Sequence, residues 1–82
     1  MSDYRIIVEP DEDEFHAYCP GLKGLHVGGK TEEEATRNAQ DAAIAYVMSM
    51  EQHNEYIPPG LLNWVWTFAS SRKTMEELFE GV

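Results

Sequence analysis

The sequence predicts an α+β fold, a single domain in the order β-β-β-α-β-(α) with an antiparallel-rich sheet and one long helix packed on one face. Three observations predict it. Short β-branched and aromatic segments, separated by Pro, Gly and acidic residues, fill the first third of the chain. A helix-capping motif then precedes a long run of apolar residues at helical spacing. The length, 82 residues, allows one domain.

Three short strands are predicted before the helix, at residues 4–8, 15–19 and 25–27. The second alternates with period two, so Phe15, Ala17 and Cys19 share one face. An acidic turn at residues 10–14 joins the first two strands into an antiparallel hairpin. Gly28-Gly29 ends the third strand, since glycine supplies the positive φ that a sharp turn requires.

Thr31 begins the predicted long helix. Thr31 and Glu34 form a capping box, in which the threonine hydroxyl accepts the Glu34 N–H and the carboxylate reaches back. Three glutamates in this first turn also suit the positive end of the helix dipole. Apolar residues recur every three or four positions to about residue 53, and Pro58-Pro59 prevents continuation.

The segment at residues 61–69 fits two periodicities. Period two places Trp64, Trp66 and Phe68 on one face of a strand, whereas a helix would group Leu61, Leu62, Val65, Phe68 and Ala69. Its β-branched and aromatic content favours the strand. We expect the aromatic face to complete the core beneath the helix, or alternatively to form a self-association surface.

The predicted domain therefore divides into two parts. Residues 1–60 form a core of three strands and the long helix. Residues 61–82 add a strand and a short helix, capped at Thr74, to the same domain, without a DNA-binding domain. Arg72 and Lys73 are the basic residues of that second part, too few for a DNA-reading module.

The composition is strongly acidic, with 6 basic and 15 acidic residues and a net charge of −9. Such a surface repels phosphate backbones, so no direct nucleic-acid binding is expected. It attracts a basic protein, although solubility alone would also explain the charge. No apolar run approaches the roughly 20 residues that span a bilayer, and no secretory leader is recognisable. Together with a single cysteine, these features predict a cytoplasmic protein without membrane association.

Residues 24–31, GLHVGGKT, match the phosphate-loop pattern G-x-x-x-x-G-K-[ST] at every specified position. That loop needs a parallel strand before it and a later strand ending in an acid that holds magnesium. The later segment ends in Ala69-Ser70-Ser71 instead, and a short hairpin-rich domain lacks room for a large parallel sheet. The sequence therefore predicts a strand, a glycine turn and a capped helix, without nucleotide binding.

Other site chemistries find no support in the sequence. His16 and Cys19 are three apart on the second strand and face opposite sides, so they and His26 do not predict a metal site. Cys19 shares a face with apolar residues and is expected to be a buried, inert thiol. His53 suits the helix end without any metal, and most acids lie at solvated positions. We therefore expect no enzyme activity, no cofactor and no metal.

The order of short motifs nevertheless resembles a known family. These motifs are Pro20-Gly21-Leu22-Lys23-Gly24, Gly29-Lys30-Thr31, the helix opening Thr-x-Glu-Glu-Ala, Asn38-Ala39 with Ala42 and Ile44, and Ile57-Pro58. Across about residues 4–59, the chain resembles the HicB-like antitoxins, in particular their small N-terminal domain. The resemblance implies a partial ribonuclease-H-like fold, dimers or tetramers, and a partner, HicA, which is a small basic toxin that cleaves mRNA.

The expected function follows from this resemblance together with the charge. We expect an antitoxin domain that binds and neutralises a basic HicA-type toxin by protein–protein contact. The alternative is an orphan structural or regulatory oligomer of the same fold without a toxin partner. The expected partner-binding residues are Asp11, Glu12, Asp13 and Glu14, and the expected oligomer interface comprises Trp64, Trp66 and Phe68.

Overall fold

The computed structural model describes residues 4–70, which contain three strands followed by two helices. They are β1 (Ile7–Asp11), β2 (Glu14–Tyr18), β3 (His26–Gly29), α1 (Glu32–Gln52) and α2 (Pro59–Ala69). The strands form one antiparallel sheet in the order β1-β2-β3. The predicted α+β class, with three antiparallel strands followed by a long helix, is confirmed.

The β1–β2 hairpin closes on a two-residue loop. Asp11 pairs with Glu14, and the loop residue Glu12 has a positive φ of 57°, as the first position of a type II′ turn requires. β1 begins three residues later than predicted and includes Pro10. An edge strand tolerates this proline because its outward N–H positions need no partner.

The sheet presents one face to α1. Ala17 and Cys19 are buried and Phe15 packs against the core, so the predicted shared face is confirmed. From α1, Ala35, Ala39, Ala43 and Val47 are buried at four-residue spacing. Their small side chains let the helix lie close to the sheet.

The ends of α1 agree with the sequence prediction. Thr31 is its N-cap and His53 its C-cap. Asn54 follows with a φ of 56°, the left-handed conformation that often ends a helix. Neither described helix is long and apolar enough to cross a bilayer.

The predicted strand at residues 61–69 is wrong, because this segment is the helix α2. Leu61, Val65 and Ala69 are buried at four-residue spacing, and α2 packs on α1. Pro59 occupies the first turn, where a missing N–H costs nothing. Tertiary packing thus overrides the β propensity of the aromatic and branched residues. The helix predicted from Thr74 lies outside the described residues.

Candidate protein-interaction surfaces

The junction between β3 and α1 is built for close packing. An ideal Cβ on Gly29 would lie 2.4 Å from the Ala35 nitrogen and 2.8 Å from the Ala35 Cα, so only glycine fits beneath the start of α1. Gly24 adopts a φ of +87°, a conformation that residues with a Cβ rarely adopt. Two glycines of the phosphate-loop pattern therefore have structural reasons to be glycine.

The first turn of α1 is capped by its own side chains. The Glu34 N–H donates to Thr31 Oγ1 at 3.0 Å, and the Lys30 N–H donates to Glu34 Oε1 at 3.1 Å. The carboxylate therefore reaches the residue before the cap, one position further than a standard capping box. Glu32 and Glu33 line a surface depression together with Thr31 and Glu34. Their carboxylates repel a phosphate, and β3 runs antiparallel to its neighbour, so this geometry does not form a phosphate loop.

A further bond fastens the junction. The Asn38 side chain donates from Nδ2 to the Gly28 carbonyl at 2.8 Å, which ties the second turn of α1 to β3. Sequence reasoning did not assign this role to Asn38, because the contact depends on the approach of the helix to the strand. The junction is thus a structural element of the domain.

The acidic hairpin, defined as Asp11, Glu12, Asp13 and Glu14, is the first candidate surface. All four residues are exposed, and together they line one shallow depression at the hairpin tip. Four carboxylates on consecutive residues concentrate negative potential there. The structure brings these predicted residues together; their contact with a partner stays a prediction.

The open sheet face, defined as Glu9, His16, Tyr18 and His26, is the second candidate surface. Strand alternation turns these side chains away from α1. Tyr18 lies opposite His26 and Glu9 opposite His16, and Glu9 Oε1 is 3.3 Å from His16 Nε2. Sequence reasoning missed this cluster because it considered the histidines only as metal ligands.

The structure places His16 and Cys19 on opposite sides of the sheet, as the strand alternation predicts. His16 lies on the open sheet face, whereas Cys19 is buried in the core. Within residues 4–70, no three His, Cys, Asp or Glu side chains are grouped to hold a metal ion.

The α2 ridge, defined as Leu62 and Trp66, is the third candidate surface. These side chains are 52% and 61% exposed and flank a shallow groove with Pro59 and Asn63. Trp64 instead stacks on Tyr4 with ring centroids 6.1 Å apart, and it meets Phe68 edge-on at 5.1 Å.

The prediction that Trp64, Trp66 and Phe68 share one face is therefore wrong. In a helix, residues four apart lie together, whereas residues two apart diverge by about 200°. Trp64 and Phe68 pack against the core, and Trp66 is left on the surface with Leu62. The helical period of the segment is the signal that identifies this ridge.

Comparison with known proteins places the chain among small relatives. It is 41% identical over 56 residues to the UPF0150 protein Ta0767 of Thermoplasma acidophilum, covering 67% of this chain and 81% of that protein. The chain belongs to the UPF0150 family. A second UPF0150 protein, ssr1765 of Synechocystis, is 37% identical over 57 residues, covering 68% of this chain and 72% of that protein.

A UPF0150 protein of Helicobacter pylori is 40% identical over 47 residues, or 57% of this chain and 65% of that protein. No family model matches the chain, and no solved structure does. Family membership in UPF0150 thus rests on these relatives, and the functional inference rests on the surfaces described above.

Proposed function

We propose that this UPF0150 chain is a cytoplasmic, HicB-like antitoxin domain. It binds a small basic mRNA-cleaving toxin of the HicA type and neutralises it by direct contact. In this proposal the chain catalyses no reaction, uses no cofactor and does not itself bind nucleic acid. The observation that carries the proposal is the acidic hairpin, where four exposed carboxylates project from the tip of a chain with net charge −9.

The electrostatic reason is competition for one surface. A protein that cleaves mRNA presents cationic side chains to the phosphate backbone. Carboxylates on a protruding hairpin pair with the same cations and exclude the RNA by occupying its site. Complementary charge of this kind accelerates association and selects the partner. The resemblance of residues 4–59 to HicB-like antitoxins supports the same assignment.

Co-expression with a HicA-type toxin tests the proposal. We expect the full chain to restore growth and to copurify with the toxin. A hairpin variant that replaces Asp11, Glu12, Asp13 and Glu14 by Asn or Gln should weaken binding about tenfold, because each exposed ion pair contributes roughly 0.2–1 kcal/mol.

A matched control changes the net charge equally at other exposed sites. It carries Gln in place of Glu32, Glu33, Glu51 and Glu55 and should bind nearly as tightly as the native chain. Equal loss in both variants would show that only total charge matters, and the absence of any complex would refute the proposal.

A second candidate function is favoured by the α2 ridge. Leu62 and Trp66 expose apolar surface that a second copy of the chain would cover, which gives a homo-oligomer, a dimer or a tetramer, with a structural or regulatory role. Sedimentation should then show association that increases with concentration and is lost in Trp66→Ser. A strict monomer at high concentration would contradict this candidate.

A further inference from the structure

The open sheet face carries a cluster of aromatic rings. Tyr18 and His26 have ring centroids 5.5 Å apart and planes inclined by 10°. His16 lies 5.5 Å from His26 and 6.0 Å from Tyr18. The three rings therefore form a compact triangle on the side of the sheet that faces away from α1, with planes inclined to one another by 10° to 34°.

The strand register creates this cluster. Tyr18 is the cross-strand partner of His26, and His16 is the partner of Gly28. Because Gly28 has no side chain, nothing on β3 covers His16 from that position. Cross-strand neighbours and diagonal neighbours both lie within reach of aromatic side chains, so all three rings come together.

The charged side chains of the three strands beside the rings are carboxylates. Glu9 contacts His16 at 3.3 Å, and its side chain remains 52% exposed. Asp11 and Glu14, at the end of the hairpin, extend the same face by strand alternation. The three strands contain no Lys or Arg. The face thus combines partly exposed rings with carboxylates, and its three strands supply no Lys or Arg.

This combination fits the arginine side chain. A guanidinium is planar, stacks on aromatic faces and pairs with a carboxylate through two parallel hydrogen bonds. A lysine ammonium is a strongly hydrated point charge that makes neither the planar stack nor the bidentate pair.

We propose that the open sheet face binds arginine side chains of a basic protein partner, with the guanidinium stacked on the rings of Tyr18 and His26 and paired with Glu9. The inference rests on the proposed function because the basic toxin is the partner that would supply the arginine. RNA is a poorer occupant, because Glu9, Asp11 and Glu14 repel phosphate. A second copy of the chain is also a poorer occupant, because its own carboxylates would be repelled by those of this face.

The test is a titration of the full chain, followed by NMR, with two short peptides of alternating Gly and either Arg or Lys. We expect the ring resonances of His16, Tyr18 and His26 to shift, and the Arg peptide to bind more tightly than the Lys peptide. Tyr18→Leu and Glu9→Gln should each weaken Arg-peptide binding about two- to fivefold, the range of one exposed cation–π contact or ion pair.

Matched controls isolate the face. Tyr56→Leu removes another exposed tyrosine and Glu51→Gln another exposed acid, and both should leave the affinity unchanged. The dispersion of the amide spectrum reports whether each variant is folded. Equal affinity for the two peptides, shifts confined to the hairpin or α2, or preferential binding of a single-stranded RNA oligomer would each overturn the proposal.

The same variants separate this inference from the proposed function. A HicA-type toxin that binds Tyr18→Leu and Glu9→Gln as tightly as the native chain would overturn the arginine site and leave the antitoxin proposal standing. Conversely, Arg-peptide binding at the open sheet face, without any binding of the toxin, would support the site and refute the antitoxin proposal.

Discussion

Thr31 contributes its hydroxyl to the first turn of α1 through the bond from the Glu34 N–H. Thr31→Ala should cost roughly 0.5–2 kcal/mol of unfolding free energy, measured by urea denaturation. Thr36→Ala, inside the same helix, is the control and should be neutral or slightly stabilising because alanine has the higher helix propensity. Added ATP should not raise the urea midpoint of the native chain or of Thr31→Ala. If ATP raised the midpoint of the native chain but not that of Thr31→Ala, the phosphate-loop interpretation would be supported.

Gly28 and Gly29 are adjacent but differ in what surrounds them. A Cβ at Gly29 would collide with the Ala35 backbone at 2.4 Å, whereas one at Gly28 would meet the Phe15 carbonyl oxygen at an ordinary 3.6 Å. Gly29→Ala should therefore destabilise the domain by about 1–3 kcal/mol. Gly28→Ala should change stability by less than about 1 kcal/mol, as an ordinary contact allows. Equal losses of stability for Gly28→Ala and Gly29→Ala in thermal unfolding would contradict the close approach of α1 to β3.

These residues show what sequence alone could predict. The cap at Thr31 was predictable because capping depends on residues only three apart in the chain. The need for glycine at Gly29 was not, since it arises from the distance between β3 and α1. The Asn38 bond to Gly28 escaped prediction for the same reason.

At the scale of elements, α2 is where the sequence misled. Its composition favoured a strand, yet Leu61, Val65 and Ala69 fit the surface of α1 only in a helix. Both periodicities were visible in the sequence, and the partner surface decided between them. The ring cluster on the open sheet face was not predicted for a different reason. Alternation along a strand can be predicted from the sequence, whereas the register that sets Tyr18 beside His26 cannot.

The two tryptophans of α2 should respond differently to truncation. Trp64→Ala removes the packing against Tyr4 and Phe68 and should destabilise the domain by about 2–4 kcal/mol. Trp66→Ala removes a side chain that is 61% exposed and should cost less than about 1 kcal/mol. Chemical denaturation of both variants measures the difference. A larger loss in Trp66→Ala would contradict the helical orientation of this segment.

At the scale of the whole molecule, the fold class could be predicted from the sequence, whereas the binding partner could only be proposed from the charge. The α+β class followed from local patterns, because the hairpin alternation and the helix cap each depend on short stretches of chain. The proposed partner was inferred instead from how acids are distributed over the surface, which depends on the fold. In the structure the acidic hairpin and the open sheet face adjoin through Asp11 and Glu14, so the two proposed binding surfaces form one continuous region.

The most direct test of the proposed function is an RNA-cleavage assay of a purified HicA-type toxin with increasing amounts of the full chain. We predict that cleavage falls to background as the chain reaches stoichiometric amounts, and that inhibition weakens as salt rises, since exposed charges are screened. The Thr36→Ala protein should inhibit equally. Cleavage at an unchanged rate in the presence of excess chain would contradict the antitoxin proposal.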